Sequence, residues 1–204
     1  MNTRRVFAMV LAAGRGRRMG QLKQLMPYGD GNLLDAVIAA ALESPIDGLI
    51  LVAGEEVAEL YETDLPEDCH IAINDNPRSE MIDSVRVGLR CLKKTFQPDG
   101  DDGVMILLAD QPQVGAGTIA TCAETYRLPR TPPDILIATY CKRRGHPTVF
   151  SLACLKQIEG WPAGRPLNEL AKQGLGRVRE LPITTGPMPI DVNTRADYDR
   201  LLDS

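Results

Sequence analysis

Val6-Phe7-Ala8-Met9-Val10-Leu11-Ala12-Ala13-Gly14-Arg15-Gly16-Arg17-Arg18-Met19-Gly20-Gln21-Leu22-Lys23 begins as an apolar run and breaks into a loop of glycine and arginine. The run at 6–13 reads as a strand buried on both faces, as in the middle of a parallel sheet. The three glycines Gly14, Gly16 and Gly20 let the backbone turn sharply and bring its N–H groups close to a ligand. Arg15, Arg17, Arg18 and Lys23 supply cations beside them. Six basic residues and no acidic one occupy the first 25 positions, although the whole chain carries a net charge of −4. A buried strand that feeds a basic, glycine-rich loop is a device for holding polyphosphate.

The same rhythm continues outward from this stretch. Apolar runs at 48–53, 70–74, 104–109, 135–140 and 177–181 read as further strands, and amphipathic segments at 33–43, 80–93, 117–126 and 195–202 as helices. Asn32 and Ser79 precede the first two helices, and Thr194 with Asp197 three positions on has the form of a capping box. Strand–helix alternation predicts a three-layer α/β fold with a mostly parallel central sheet. The 204 residues are enough for one domain spanning 1–204, with 97–103 and 128–133 as surface loops rather than linkers between two cores.

Spacing discriminates among nucleotide-binding loops. A P-loop requires Gly-x-x-x-x-Gly-Lys followed by Ser or Thr, which the chain lacks. The dinucleotide fingerprint Gly-x-Gly-x-x-Gly fits poorly, because Met19 stands where the third glycine is needed and Gly20 comes one residue late.

Composition narrows the partners. Hydrophobic residues at 44% and charged residues at 25% are ordinary for a globular protein. A net negative chain whose cations gather in one loop suits a small anionic ligand and argues against nucleic acid. No apolar stretch reaches membrane-spanning length and no signal-peptide pattern opens the chain, so a cytoplasmic protein without a membrane partner is expected. Five scattered cysteines, none in Cys-x-x-Cys spacing, oppose a disulfide framework or a zinc site.

In parallel α/β sheets ligands lie beyond the carboxyl ends of the strands. Asp110 directly follows the apolar run 104–109, and Asp191 follows a short apolar segment before the last helix. Magnesium takes one or two protein carboxylates plus phosphates and water, so Asp110 with either Asp191 or Asn193 forms a candidate Mg2+ site. Asn74-Asp75-Asn76-Pro77 offers side-chain amides to a base or ribose, with Asn76 as the candidate contact, or forms a simple turn. Lys142-Arg143-Arg144-Gly145-His146-Pro147 reads as a basic turn between strands.

Leu11-Ala12-Ala13-Gly14, Arg18-Met19-Gly20, Lys23 and Pro27 stand in the order of a known signature loop. In it the chain resembles the small nucleotidyltransferases that include the molybdenum-cofactor guanylyl- and cytidylyltransferases. Leu107-Leu108-Ala109-Asp110-Gln111-Pro112 and Ile190-Asp191-Val192-Asn193-Thr194 extend the resemblance, and Arg144-Gly145-His146-Pro147-Thr148-Val149-Phe150 points to the cytidylyltransferase branch. The loop is more basic than the family's usual one, and Asn193 stands where many relatives carry aspartate.

The resemblance implies a Rossmann-like nucleotidyltransferase fold and Mg2+-dependent transfer of a nucleoside monophosphate from a nucleoside triphosphate, with CTP as donor. It implies molybdopterin-type cofactor as the phosphorylated acceptor and a molybdenum hydroxylase as recipient of the product. Leu11, Ala12, Ala13, Gly14, Gly16, Lys23 and Ser84 would then contact the nucleotide, Arg18, Lys23 and Asp110 would act in catalysis, and Arg144 and His146 would face the acceptor. Phosphate transfer needs positioned charge more than covalent participation, in keeping with these residue types. Two alternatives accompany this expectation: a nucleotide-dependent oxidoreductase and a non-catalytic protein that binds and delivers a cofactor.

Overall fold

The computed structural model describes residues 4–14, 22–62, 65–76, 78–162 and 164–203. Gly16 and Arg18, both expected in the phosphate loop, lie outside the described residues, as do Arg15 and Arg17. In chain order the elements are β1 (Val6–Ala12), β2 (Pro27–Tyr28), β3 (Gly31–Asn32), α1 (Leu33–Leu42), β4 (Leu49–Ala53), α2 (Glu55–Tyr61), β5 (Cys69–Ile73), α3 (Met81–Phe96), β6 (Gly103–Leu108), α4 (Ala116–Arg127), β7 (Ile135–Tyr140), β8 (Arg143–Ser151), α5 (Leu152–Leu155), α6 (Glu169–Lys172), β9 (Val178–Pro182) and α7 (Arg195–Leu202). A 3₁₀ turn, Lys23–Leu25, precedes β2.

Seven strands form the central sheet in the order β5-β4-β1-β6-β8-β7-β9, giving a Rossmann-like three-layer α/β fold. β1 pairs in parallel with both β4 and β6, and only β8 runs against its neighbours. Alternation along β1 sends Val6, Ala8, Val10 and Ala12 into one core layer and Phe7 and Met9 into the other. The first layer is covered by α1, α2 and α4, the second by α3, α5 and α6. The fully apolar sequence of β1 is thus the signature of a strand roofed on both faces.

Capping side chains close the helices. Asn32 and Asp35 form a reciprocal capping box at α1, and Thr194 and Asp197 form the expected one at α7. At α3 the cap is Glu80, reciprocated by Asp83, rather than Ser79. Among the described residues no helix is long and apolar enough to cross a membrane.

Two further differences from the sequence expectation shape the rim. The chain turns at Cys141 and Lys142, whose φ values of 48° and 68° fit a two-residue hairpin. The segment expected as a basic turn at 142–147 is therefore mostly the start of β8, with Arg144 and His146 on the strand. A helix also fills 55–61: its first turn carries Glu55 and Glu56, favourable at the positive end of the helix dipole, and it buries Val57 and Ala58.

A third, smaller core decides where the chain's last segment lies. Val192, Tyr198 and Leu201 pack with Met26 and Leu33, and the Tyr198 hydroxyl donates to the Pro27 carbonyl at 2.5 Å. Burying side chains of this size stabilises by about 1.5–3 kcal/mol each. The contact carries residues 191–193 back across the molecule to the segment after β1.

Candidate active site

The carboxyl ends of β1, β4, β5 and β6 share one rim of the sheet, because all four strands are parallel. The antiparallel β8 delivers its beginning to that rim instead. Thr148 pairs with Ile106, which leaves His146 and Arg144 beyond it, toward the end of β6. Three cavities follow one another along this edge. One of about 790 Å³ lies between Ala12-Ala13-Gly14, Gln24 to Pro27 and Gly54 to Val57. The middle one, about 320 Å³, is lined by Gly14, Lys23, Ser84, Asp110, Asp191 and Asn193. The third, about 670 Å³, lies between β8, Met81 and segment 164–172. Ala13, Gly14 and Gln24 border both the first and second, while Glu80, Met81, Leu108 and Asp191 border both the second and third. The result is a single crevice with a narrow middle, and its parts have the size of ordinary ligand sites.

The middle of the crevice holds a compact charged group. The Lys23 ammonium donates to Asp110 Oδ2 and, at 3.2 Å, to Asn193 Oδ1. Both charged side chains are largely buried, 19% and 13% exposed, so water screens the pair less than it would at the surface. Asp191 is held from another side by Gln111, whose Nε2 donates to its Oδ1 at 2.5 Å. The backbone N–H of Val192 donates to the Asp110 carbonyl at 3.4 Å, tying the two acidic segments together. Gln24 fixes the 3₁₀ turn carrying Lys23 to the end of β1 by donating from Nε2 to the Ala12 carbonyl at 2.9 Å.

The flanks differ in character. On the side of the first cavity, Asp75 Oδ1 accepts from the Glu55 N–H at 2.8 Å, pinning the loop after β5 to the start of α2. Asn74 donates to the Ser79 and Ser84 hydroxyls at 2.7 and 2.9 Å. On the side of the third cavity the walls are apolar, with Met81, Ile137 and Phe150. Arg144, Arg165 and Lys172 supply cations there. Arg144 is half-exposed and bridges to Glu180 Oε1 at 2.8 Å, while Arg165 stacks over the Trp161 ring with its guanidinium carbon 3.8 Å from the centroid. His146 lies 3.3 Å from the Ile106 carbonyl through Nδ1. A carbonyl only accepts, so Nδ1 carries the proton. Burial holds the imidazole below its ordinary pKa of 6.5, so it is neutral at pH 7 and reads as a hydrogen-bonding wall rather than an anion-binding cation.

The structure therefore brings Leu11, Ala13, Gly14, Lys23, Ser84, Asp110, Asp191 and Asn193 into one cavity, with Ala12 in the cavity beside it and Arg144 and His146 in the one beyond. Asn76 lies outside all three: it is exposed and accepts from the Arg78 N–H at 3.0 Å, and Asp75 lines the crevice in its place. Gln24, Gln111 and Arg165 escape the sequence reading. Gln24 carries no signal beyond its place next to Lys23. Gln111 stands beside a candidate ligand, and an amide there is well suited to orienting a second carboxylate.

Comparison with known proteins identifies the family and the fold. Residues 8–178 match the MobA-like NTP transferase domain. The purine catabolism protein PucB of Bacillus subtilis (strain 168) is 26% identical over 202 residues, covering 95% of this chain and 94% of that protein. The crystal structure of Rv0371c from Mycobacterium tuberculosis H37Rv superposes with a TM-score of 0.84 at 29% identity over the full length of both chains. A complex of Rv0371c with manganese superposes with a TM-score of 0.79 at 26% identity, again over both full lengths.

Proposed function

Because the chain belongs to the MobA-like NTP transferase family and is a nucleotidyltransferase by that membership, we propose that it transfers CMP from CTP to the terminal phosphate of a molybdopterin-type cofactor. A phosphate oxygen of the acceptor attacks the α-phosphorus of the nucleotide, the new O–P bond forms, and the bond to the β-phosphate oxygen breaks to release pyrophosphate. The observation that carries this reading is the three-part crevice, with Lys23, Asp110 and Asp191 at its narrow middle. The two larger spaces open on either side of it. Donor and acceptor approaching from opposite ends place their reacting phosphates beside these residues.

Asp110, Asp191 and Asn193 would hold a magnesium ion, and they fit it: all three offer oxygen, the donor type this ion selects. When bound, the ion supplies positive charge to the phosphate oxygens. Lys23 adds a second positive charge on the same side and stabilises the negative charge that grows on departing pyrophosphate. Gln111 holds Asp191 in place. Gly14 and Ala13 present backbone at the junction of the donor-side and middle cavities. Arg18 and Gly16 complete the phosphate loop in this proposal. Arg144 and Arg165 provide the acceptor's anionic groups with cations, and Met81, Ile137 and Phe150 offer its ring system an apolar wall. A molybdenum hydroxylase is the proposed recipient of the product.

The test is pyrophosphate release. Purified protein is incubated with Mg2+, molybdopterin-type cofactor and each of the four nucleoside triphosphates. CTP should give pyrophosphate that depends on the added cofactor. Release with no acceptor dependence, or only with another phosphorylated metabolite, would remove the proposed acceptor.

A further inference from the structure

The Lys23 ammonium sits on the two side chains, Asp110 and Asn193, that the proposed reaction assigns to a divalent ion. The interaction is largely buried, with Lys23 held in a 3₁₀ turn that Gln24 anchors to β1. An ammonium seated on Asp110 Oδ2 and Asn193 Oδ1 competes with a divalent cation for these side chains, and like charges brought this close repel strongly where screening is weak. We infer that Lys23 is the site's resident counter-ion, and that a divalent ion gains Asp110 and Asn193 only when Lys23 leaves them for the phosphates of an incoming nucleotide. This rests on the proposed role of Asp110 as metal ligand and adds the order of binding.

The charges make the exchange balanced. Without nucleotide, one ammonium offsets part of the charge of two carboxylates, Asp110 and Asp191. A bound triphosphate brings several negative charges, which give the ammonium new acceptors and give the divalent ion its remaining oxygen ligands. Metal and nucleotide should therefore bind with positive coupling, each raising the other's affinity by the same factor. Lys23 acts as a positioning residue before the reaction and turns to the phosphates during it. The metal alone should bind poorly, and the free enzyme should resist capture by stray divalent ions.

The experiment measures Mn2+ alone, by electron paramagnetic resonance of the free ion, on the full chain without substrate. Wild type should bind weakly and gain affinity when a CTP analogue with a non-cleavable α,β-bridge is added. Lys23→Met, which keeps side-chain length but loses the charge, should bind Mn2+ alone more tightly by roughly 5–150-fold, the usual span of coupling between sites. The analogue should then add less. Adding Asp110→Asn to Lys23→Met should erase the gain, and Lys23→Gln should repeat it. Equal Mn2+ affinity in wild type and both Lys23 variants would overturn the inference, as would a gain that survives Asp110→Asn. Equal Mn2+ affinity in wild type with and without the analogue would do the same without any variant. Pyrophosphate release from CTP is scored separately. Its absence alongside the predicted Mn2+ behaviour would remove the proposed activity and leave the counter-ion role, and the reverse pattern would remove only the counter-ion role.

Discussion

Single side chains carry most of the chemistry proposed here. Asp110→Asn keeps the shape of the side chain and removes its charge. It should lower turnover by about 10²–10³-fold, the scale of losing one electrostatic element that stabilises a transition state, here through the ion Asp110 would hold. Circular dichroism should remain that of wild type, since the residue lies on the rim and belongs to none of the apolar core layers. Near-wild-type pyrophosphate release would remove Asp110 from the mechanism. Ala13 is the second informative position, because it borders both the donor-side and the middle cavity. A methyl group there narrows the approach of a base to the backbone and penalises a purine more than a pyrimidine. Ala13→Gly should raise kcat/KM for GTP relative to CTP by roughly 10-fold or more, within the range one methyl group can discriminate. An unchanged ratio would place base selection elsewhere. The sequence pointed to Asp110 because it directly follows an apolar run, which folds as the buried strand β6. The sequence could not show that His146, in the wall of the third cavity, is held below its ordinary pKa by burial. It placed Asn76 at the ligand although its side chain folds back onto the Arg78 N–H.

Helices and strands show where pattern ends and packing begins. Gly88 lies on the buried face of α3, and a Cβ built there would stand 2.6 Å from Met9 Sδ and 2.8 Å from Val52 Cγ2. Gly117 lies in α4 with nothing within 4 Å of such an atom. Alanine should act in opposite directions at the two sites. Gly117→Ala should stabilise by up to about 1 kcal/mol through reduced backbone freedom. Gly88→Ala should destabilise by about 1–3 kcal/mol, overpacking outweighing the same helical gain. Urea unfolding of both variants checks the pair, and the same sign at both would remove the packing argument. The main elements were legible because β1, β4 and β6 carry no polar side chain and β7 only Thr139 and the Tyr140 hydroxyl, as befits strands covered on both faces. The strand β8 was not. Its first residues, Arg143 and Arg144, are exposed at the rim, so the strand opens with the composition of a turn while the true turn falls on Cys141 and Lys142. The helix α2 was overlooked for a related reason. It is only seven residues long, and its buried stripe is confined to Val57 and Ala58.

The molecule as a whole sets which groups solvent can reach. Cys69, Cys122 and Cys154 are buried and their thiols are pushed up to about 11, 12 and 11, with desolvation as the main cause, whereas Cys141 is exposed at the hairpin tip. Iodoacetamide at pH 8 should therefore modify Cys141 in the native protein and spare those three until it is unfolded, since the thiolate is the reacting species. Peptide mapping by mass spectrometry would show this, and early labelling of Cys122 would indicate that the layer under α4 opens readily. The single reversed strand has a wider consequence. Everything on the donor side of the crevice comes from the chain up to the end of β6, with the last segment folding back to join it. Most of the far side comes from one stretch, β8 to α6, with Met81 of α3 and Ile137 of β7 completing its wall. A lineage inheriting this architecture has a fixed jaw and an interchangeable one. Under the proposed function, change confined to 141–172 would alter most of the far wall while leaving Gly14, Lys23 and Asp110 in place.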